Sequence, residues 1–267
     1  MNTLYLQNTY IAKYDFIINK KIVEYDISKA NISILYSFGY ITKKQYEYYY
    51  NLPKQKREIL LGILQRDNIK IKEGLKQGFI ECRKKFIEQN NIPTEYVLYV
   101  DKDSMTIIDY PIKNTKINEI VDFIPKKVYS SFYNLNGIHL LYYNSGEEES
   151  FRLKYANEEE MIRKHTNGFL DIILTIAYSG QNNSIISTLK LIKDIYRLYV
   201  NRELEPNSYR EFNYNNKFRF VSNPNMTYVY FTDIIQSSNM KYIDISYNLN
   251  LIQLFYKIFN KQYFTSI

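Results

Sequence analysis

The sequence predicts an α+β fold, an antiparallel sheet carrying helical insertions, and three observations support that expectation. Val97-Leu98-Tyr99-Val100 and Met105-Thr106-Ile107-Ile108 are apolar, β-rich runs on either side of Asp101-Lys102-Asp103-Ser104, the pattern of a hairpin with acids at its tip. Residues 42–91 place apolar side chains at helical spacing. Three further β-rich runs between 127 and 155, separated by turn-forming residues, read as an antiparallel meander, with a second helical region and closing strands after it.

Taken in order, Tyr14-Asp15-Phe16-Ile17-Ile18 and Lys21-Ile22-Val23-Glu24-Tyr25 flank Asn19-Lys20 and predict a hairpin whose second strand delivers Asp26. Ser28 is placed to cap a helix through Asn31, Ile34, Leu35 and Phe38, which Gly39 ends. Thr42 opens a helical segment bearing Tyr46, Tyr49 and Tyr50, and Asn51-Leu52-Pro53 interrupts it. Pro53 suits the first turn of a helix through Ile59, Leu60, Ile63 and Leu64, with the next break at Asn68. A long helix over 71–89 carries Leu75, Phe79, Cys82 and Phe86, and Asn90-Asn91-Ile92-Pro93 turns the chain into the central hairpin.

Beyond Asp109, Pro111 and Pro125 bracket a short segment. Strands are expected at 127–132, 138–144 and 150–155, joined by Asn134-Leu135-Asn136-Gly137 and by Ser145-Gly146 with Glu147-Glu148-Glu149. Two helices fall within 158–204, one through Met161, Phe169, Ile172 and Ile173, the other through Leu189, Ile192, Ile195 and Leu198, with Ser179-Gly180-Gln181-Asn182-Asn183 between them. Runs at 218–221, 228–231 and 242–245 alternate as strands before a closing helix through Leu251, Leu254, Phe255 and Ile258. The expected division is 1–156, with a helical insertion at about 42–91, and 157–267.

A formal net charge of +7 over 267 residues favours an anionic partner, of which nucleic acid is the commonest. Twenty-nine tyrosines among many lysines suit base stacking along a basic groove. Tyr, Asn, Ile and Lys also share A/T-rich codons, so base composition alone would produce these counts, and the acids carry the functional reading. The single cysteine, Cys82, excludes an intrachain disulfide framework and a multi-cysteine zinc site, and reads as a packed helical side chain. No run approaches the roughly 20 apolar residues that span a bilayer, and the start lacks a signal-peptide pattern; a cytoplasmic protein with no membrane contact is expected. His139 and His165 stand far from any cysteine, second histidine or catalytic serine and read as structural. Eight glycines form neither a P-loop nor a dinucleotide fingerprint. The runs Glu147-Glu148-Glu149 and Glu158-Glu159-Glu160 suit a solvated turn and a helix start.

Asp101 and Asp103 lie two residues apart, which on extended backbone points both to one face and Lys102 to the other. Their mutual repulsion is relieved by a cation between them. Ile22-Val23-Glu24-Tyr25-Asp26 is another apolar strand ending on an aspartate, so three acids at the ends of two strands make a candidate hard-cation site. Here the residues resemble a known family. Tyr99-Val100-Asp101-Lys102-Asp103-Ser104 resembles the Tyr-Gly-Asp-Thr-Asp-Ser signature in the palm of family B DNA polymerases, with Val100 in place of Gly and Lys102 in place of Thr. The run from Asp26 to Ile34 is similar to that family's Asp-x-x-Ser-Leu-Tyr-Pro-Ser-Ile motif at Asp26, Ser33 and Ile34, and departs from it at Lys29, Ala30, Asn31 and Ile32. Asn31 stands where the family has the tyrosine that packs beneath the incoming sugar. The resemblance covers residues 22–108.

It implies a polymerase-like palm with reduced fingers at 42–91, a thumb-like region after 157, and DNA replication in a minimal relative of phage or mobile-element origin. Asp26, Asp101 and Asp103 would be the catalytic residues and would hold Mg²⁺ or Mn²⁺; nucleic acid and a nucleoside triphosphate would be the substrates. Ser28, Lys29 and Asn31 are the candidate substrate-binding residues beside Asp26. Lys56 and Arg57 are candidates for the triphosphate, by their place in the fingers. The family's Lys-x6-Asn-Ser-x-Tyr-Gly finger motif has no match, so a partner protein that completes the fingers or primes synthesis is a further expectation. The segment before Asp26 has no room for a proofreading exonuclease. Two functional classes follow: a two-metal nucleotidyltransferase, or a non-catalytic nucleic-acid-binding or assembly protein on a decayed palm.

Overall fold

The Thr42 and Asn68 side chains cap two helices of the first half by supplying partners that helix ends lack. In the computed structural model, which describes residues 4–7, 9–144, 146, 149–155, 167–212, 218–220 and 246–265, β1 (Thr9–Ile11) and β2 (Phe16–Ile27) precede four helices. These are α1 (Ala30–Ser37), α2 (Lys43–Tyr50), α3 (Lys54–Asp67) and α4 (Ile69–Asn90). Thr42 and Gln45 form a capping box at α2, the Gln45 N–H donating to Thr42 Oγ1 at 3.3 Å and the Thr42 N–H to Gln45 Oε1 at 2.9 Å. Asn68 caps α4 by accepting the Lys70 N–H at 3.1 Å, and Asn91 closes it with φ 52°.

Strands β3 (Val97–Asp101), β4 (Ser104–Ile108), β5 (Phe123–Leu135), β6 (Ile138–Asn144) and β7 (Glu149–Tyr155) follow. With the first two they form one seven-stranded sheet in the order β1-β3-β4-β2-β5-β6-β7, and the pairings of β1 with β3, β3 with β4 and β4 with β2 are antiparallel. Asn136 (φ 50°) and Gly137 (φ 97°) make the tight β5–β6 turn, which needs two left-handed residues. Helices α5 (Asn167–Asn182) and α6 (Ile185–Val200), a two-stranded β8 (Arg210–Phe212) and β9 (Phe218–Phe220), and α7 (Ser246–Thr265) complete the architecture, which is α+β. No helix among the described residues is long and apolar enough to cross a membrane.

The chain forms two compact units, Met1–Ser131 with Tyr142–Ser150, and Phe132–Leu141 with Phe151–Ile267. In the first, one face of α4 (Ile71, Leu75, Phe79, Cys82 and Phe86) packs with Ile34 and Leu35 of α1 and Val97, Val100, Met105 and Ile107 of the hairpin. Burial drives the Cys82 thiol up to about 12, so it behaves as the packed side chain its spacing predicts. Gly74 and Gly78 admit neighbours directly onto the α4 backbone: a Cβ at Gly74 would strike the Tyr40 ring, and one at Gly78 the Ile34 side chain. In the second unit, Tyr133 meets Phe255 and Phe259 of α7 at ring-centroid distances of 5.9 and 5.8 Å. His139 is buried with its ring edge-on to Phe132 at 5.3 Å, and burial lowers its pKa to about 4. It is a core side chain, as its surroundings in sequence suggest.

Several local expectations are corrected. Residues 14–25 form no hairpin: β2 is one continuous 12-residue strand. Asn19 alone takes a left-handed conformation (φ 55°), whereas a two-residue turn of the Asn-Gly type needs two. Ser28 does not cap α1; Lys29 occupies the N-cap position with φ 47° and no side-chain bond, while the Ser28 carbonyl accepts Ser33 Oγ at 3.0 Å. Strand β5 starts before Pro125 and runs through it. The helix start at 158–166, His165, and the strands at 228–231 and 242–245 lie outside the described residues.

Candidate functional site

Backbone register brings the three acids to one end of the sheet. Ser104, the first residue of β4, pairs with Asp101 of β3 on one side and with Asp26 of β2 on the other. Lys102 and Asp103 form the two-residue turn between β3 and β4, and the Ile27 N–H donates to the Asp103 carbonyl at 3.0 Å, tying the turn to the end of β2. Because the turn breaks the strand alternation, Lys102 (φ 27°) is not carried to the far face; it and Asp103 line the same cavity.

The charge balance here is specific. Burial raises the Asp103 pKa, and Asp26 and then Asp101 raise it further by like-charge repulsion; its own backbone hydrogen bond and Lys126 oppose them. The Lys126 ammonium, from β5, is ion-paired and hydrogen-bonded to Asp26 Oδ2. Beneath the turn, the fully buried Arg83 of α4 donates from Nε and Nη2 to the Tyr5 carbonyl at 3.1 and 3.0 Å, and from Nη1 to the Lys102 carbonyl. Burial lowers its pKa to about 10, partly offset by Cys82 and Asp103, so the guanidinium stays charged at neutral pH.

Asp26, Asp101 and Asp103 supply the hard oxygen donors that Mg²⁺ or Mn²⁺ takes, and the repulsion on Asp103 is the kind a cation relieves. Among the described residues no three acid, histidine or cysteine side chains are gathered closely enough to hold a metal ion as they stand. At Asp26 the neighbouring charge is an ammonium. The donor chemistry fits, and Lys126 holds the Asp26 Oδ2 that a metal would also seek.

A cavity of about 610 Å³ opens beside the turn, lined by Asn31, Gln65, Lys72, Lys76, Lys102 and Asp103 together with Glu73 and the apolar Ile69, Leu75 and Phe79. Its volume lies in the range of small-molecule sites. Of the sequence candidates, Asn31 and Asp103 meet there. Asn31 is held by its Nδ2 donating to Glu58 Oε2 at 2.9 Å. Lys29 points to α2, its Nζ donating to the Tyr50 carbonyl at 2.9 Å and lying 3.2 Å from the Tyr50 ring centroid. Ser28 is exposed. Arg57 is buried, donating to the Leu52 carbonyl at 3.3 Å and pairing with Glu58 at 3.6 Å, and Lys56 is exposed; neither is a wall of the cavity. Lys72, Lys76 and Lys126 were not singled out from the sequence. The i, i+4 spacing of Lys72 and Lys76 on a helix is the one signal that joins two of them.

No curated protein matches the chain. A family described as the bacteriophage PBS1 gene 130 protein matches residues 1–261, and the chain belongs to that family.

Proposed function

We propose that the protein is a metal-dependent nucleotidyltransferase acting on nucleic acid, a minimal relative of the family B polymerase palm. The observation that carries this reading is the register that sets Asp26 and Asp101 on either side of Ser104 with Asp103 in the adjoining turn. Mg²⁺ or Mn²⁺ held by these carboxylates would supply charge neutralisation and Lewis acidity for phosphoryl transfer. The chain's own part is positioning. Lys72, Lys76 and Lys102 line the cavity beside Asp103 and suit a triphosphate there, while Asn31, fixed by Glu58, is placed to meet the rest of the nucleotide. Arg83 holds the turn from below.

A second reading, a non-catalytic nucleic-acid-binding protein on a decayed palm, is favoured by one observation: Lys126 already neutralises Asp26. The deciding experiment is incorporation of labelled nucleotide with Mg²⁺ or Mn²⁺ on single-stranded, primed and protein-primed templates. Incorporation that vanishes in Asp101→Asn and Asp103→Asn proteins supports the enzyme. Nucleic-acid binding without incorporation under any of these conditions supports the second reading.

A further inference from the structure

Helix α2 is eight residues long and buries none of its side chains. A helix so short is unstable by itself, and here it is held in place from outside. Its capping box fixes the start. Tyr46 stacks on Tyr36 of α1 with centroids 4.6 Å apart and planes at 18°, Tyr50 tilts onto Tyr46 at 5.4 Å, and Lys29 grips the last turn. The fold thus anchors an element that adds little to the core and displays aromatic rings: Tyr48 is 56% exposed, Tyr50 41% and the nearby Tyr40 41%. A helix face meant only for water carries charged and polar side chains.

The charge around these rings is mainly positive. Lys43 and Lys44 of α2 and Lys54 and Lys56 of α3 are exposed. The acids of the same stretch are matched within the chain, Glu47 by Lys43 at 3.9 Å and Glu58 by Asn31 and Arg57. Partly exposed phenol rings beside an excess of lysines complement bases on a phosphodiester backbone, since stacking accepts every base and the lysines answer the phosphates. We propose that the tyrosine face of α2, with the lysines at the starts of α2 and α3, binds an unpaired stretch of nucleic-acid strand by base stacking. Lys29, three residues beyond Asp26, donates to the Tyr50 carbonyl and so ties the end of this platform to the segment that follows β2. The inference rests on nucleic acid being the partner, as in the function proposed above.

The test is fluorescence anisotropy with labelled oligothymidylate and with a labelled duplex of equal length. Native protein is compared with Tyr48→Ala/Tyr50→Ala, Tyr48→Phe/Tyr50→Phe and Lys43→Ala/Lys44→Ala proteins, each checked for fold by circular dichroism. The alanine pair weakens single-strand binding about tenfold or more, the phenylalanine pair retains native affinity, and duplex binding changes little. The lysine pair lowers the slope of log affinity against log salt by about 1.4. Unchanged single-strand affinity in the alanine pair overturns the proposal, as does an equal loss in the phenylalanine pair or an equal loss on duplex. Nucleotide incorporation is assayed on the same preparations. Tyrosine-dependent strand binding without incorporation by native protein would leave this surface standing and remove the enzyme; incorporation with tyrosine-independent binding would do the reverse.

Discussion

Asp103 shows how one side chain couples stability to function. Its carboxylate is raised above its ordinary value of 3.8 by burial first, then by Asp26 and Asp101. An acid raised on folding gives up its proton more readily when unfolded, so stability falls as pH climbs from 3.8 toward the raised value, and the penalty persists above it. Asp103→Asn should therefore melt higher than the native protein at neutral pH and lose that part of the pH dependence, as read by calorimetry across mildly acid to neutral buffers. The same change should cut nucleotide incorporation by at least about a hundredfold if the carboxylate acts on developing charge. A variant that is stabilised yet fully active would remove Asp103 from the chemistry. The pairing of Asp101 with Asp103 was legible because the two lie two residues apart. Lys126 was not: it stands 100 residues from Asp26, in a lysine-rich chain, and only the pairing of distant strands brings the two together.

At the scale of elements, α4 is positioned by what it lacks. Gly78→Ala forces a methyl against Ile34 and should destabilise by about 1–3 kcal/mol. Gly62→Ala, on α3 with nothing near its missing Cβ, should instead stabilise by up to about 1 kcal/mol through helix propensity. Urea titrations of both proteins check the pair; the same sign for both would mean that close packing is not what Gly78 provides. The breaks among the four helices were readable because Asn51-Leu52-Pro53 and Asn68 act through their own neighbours. The course of β2 was not, because Asn19-Lys20 looks like a turn until its neighbours pair on as strand, and that depends on residues near 105.

Over the whole molecule, the antiparallel α+β character followed from alternation and turn residues. The cavity could not, since its walls come from residue 31, residues 65–79 and the turn at 102–103, which no local pattern joins. The charge of +7 predicts that nucleic-acid affinity falls at least about tenfold between about 50 and about 200 mM salt. Salt-insensitive binding, measured by the same anisotropy titration, would detach the basic character from nucleic acid. Arg83 has a consequence of a different kind. One guanidinium clasps the carbonyls of Tyr5 and Lys102, so the beginning of the chain acts as a rivet in the acidic turn. Displacing the Leu4–Leu6 turn strands buried N–H groups on a cation, a loss of about 1–3 kcal/mol or more. Hydrogen exchange at the amides of 102–105 should quicken when residues through Leu6 are removed, and a fusion partner joined tightly at the start would slacken the site without touching any aspartate.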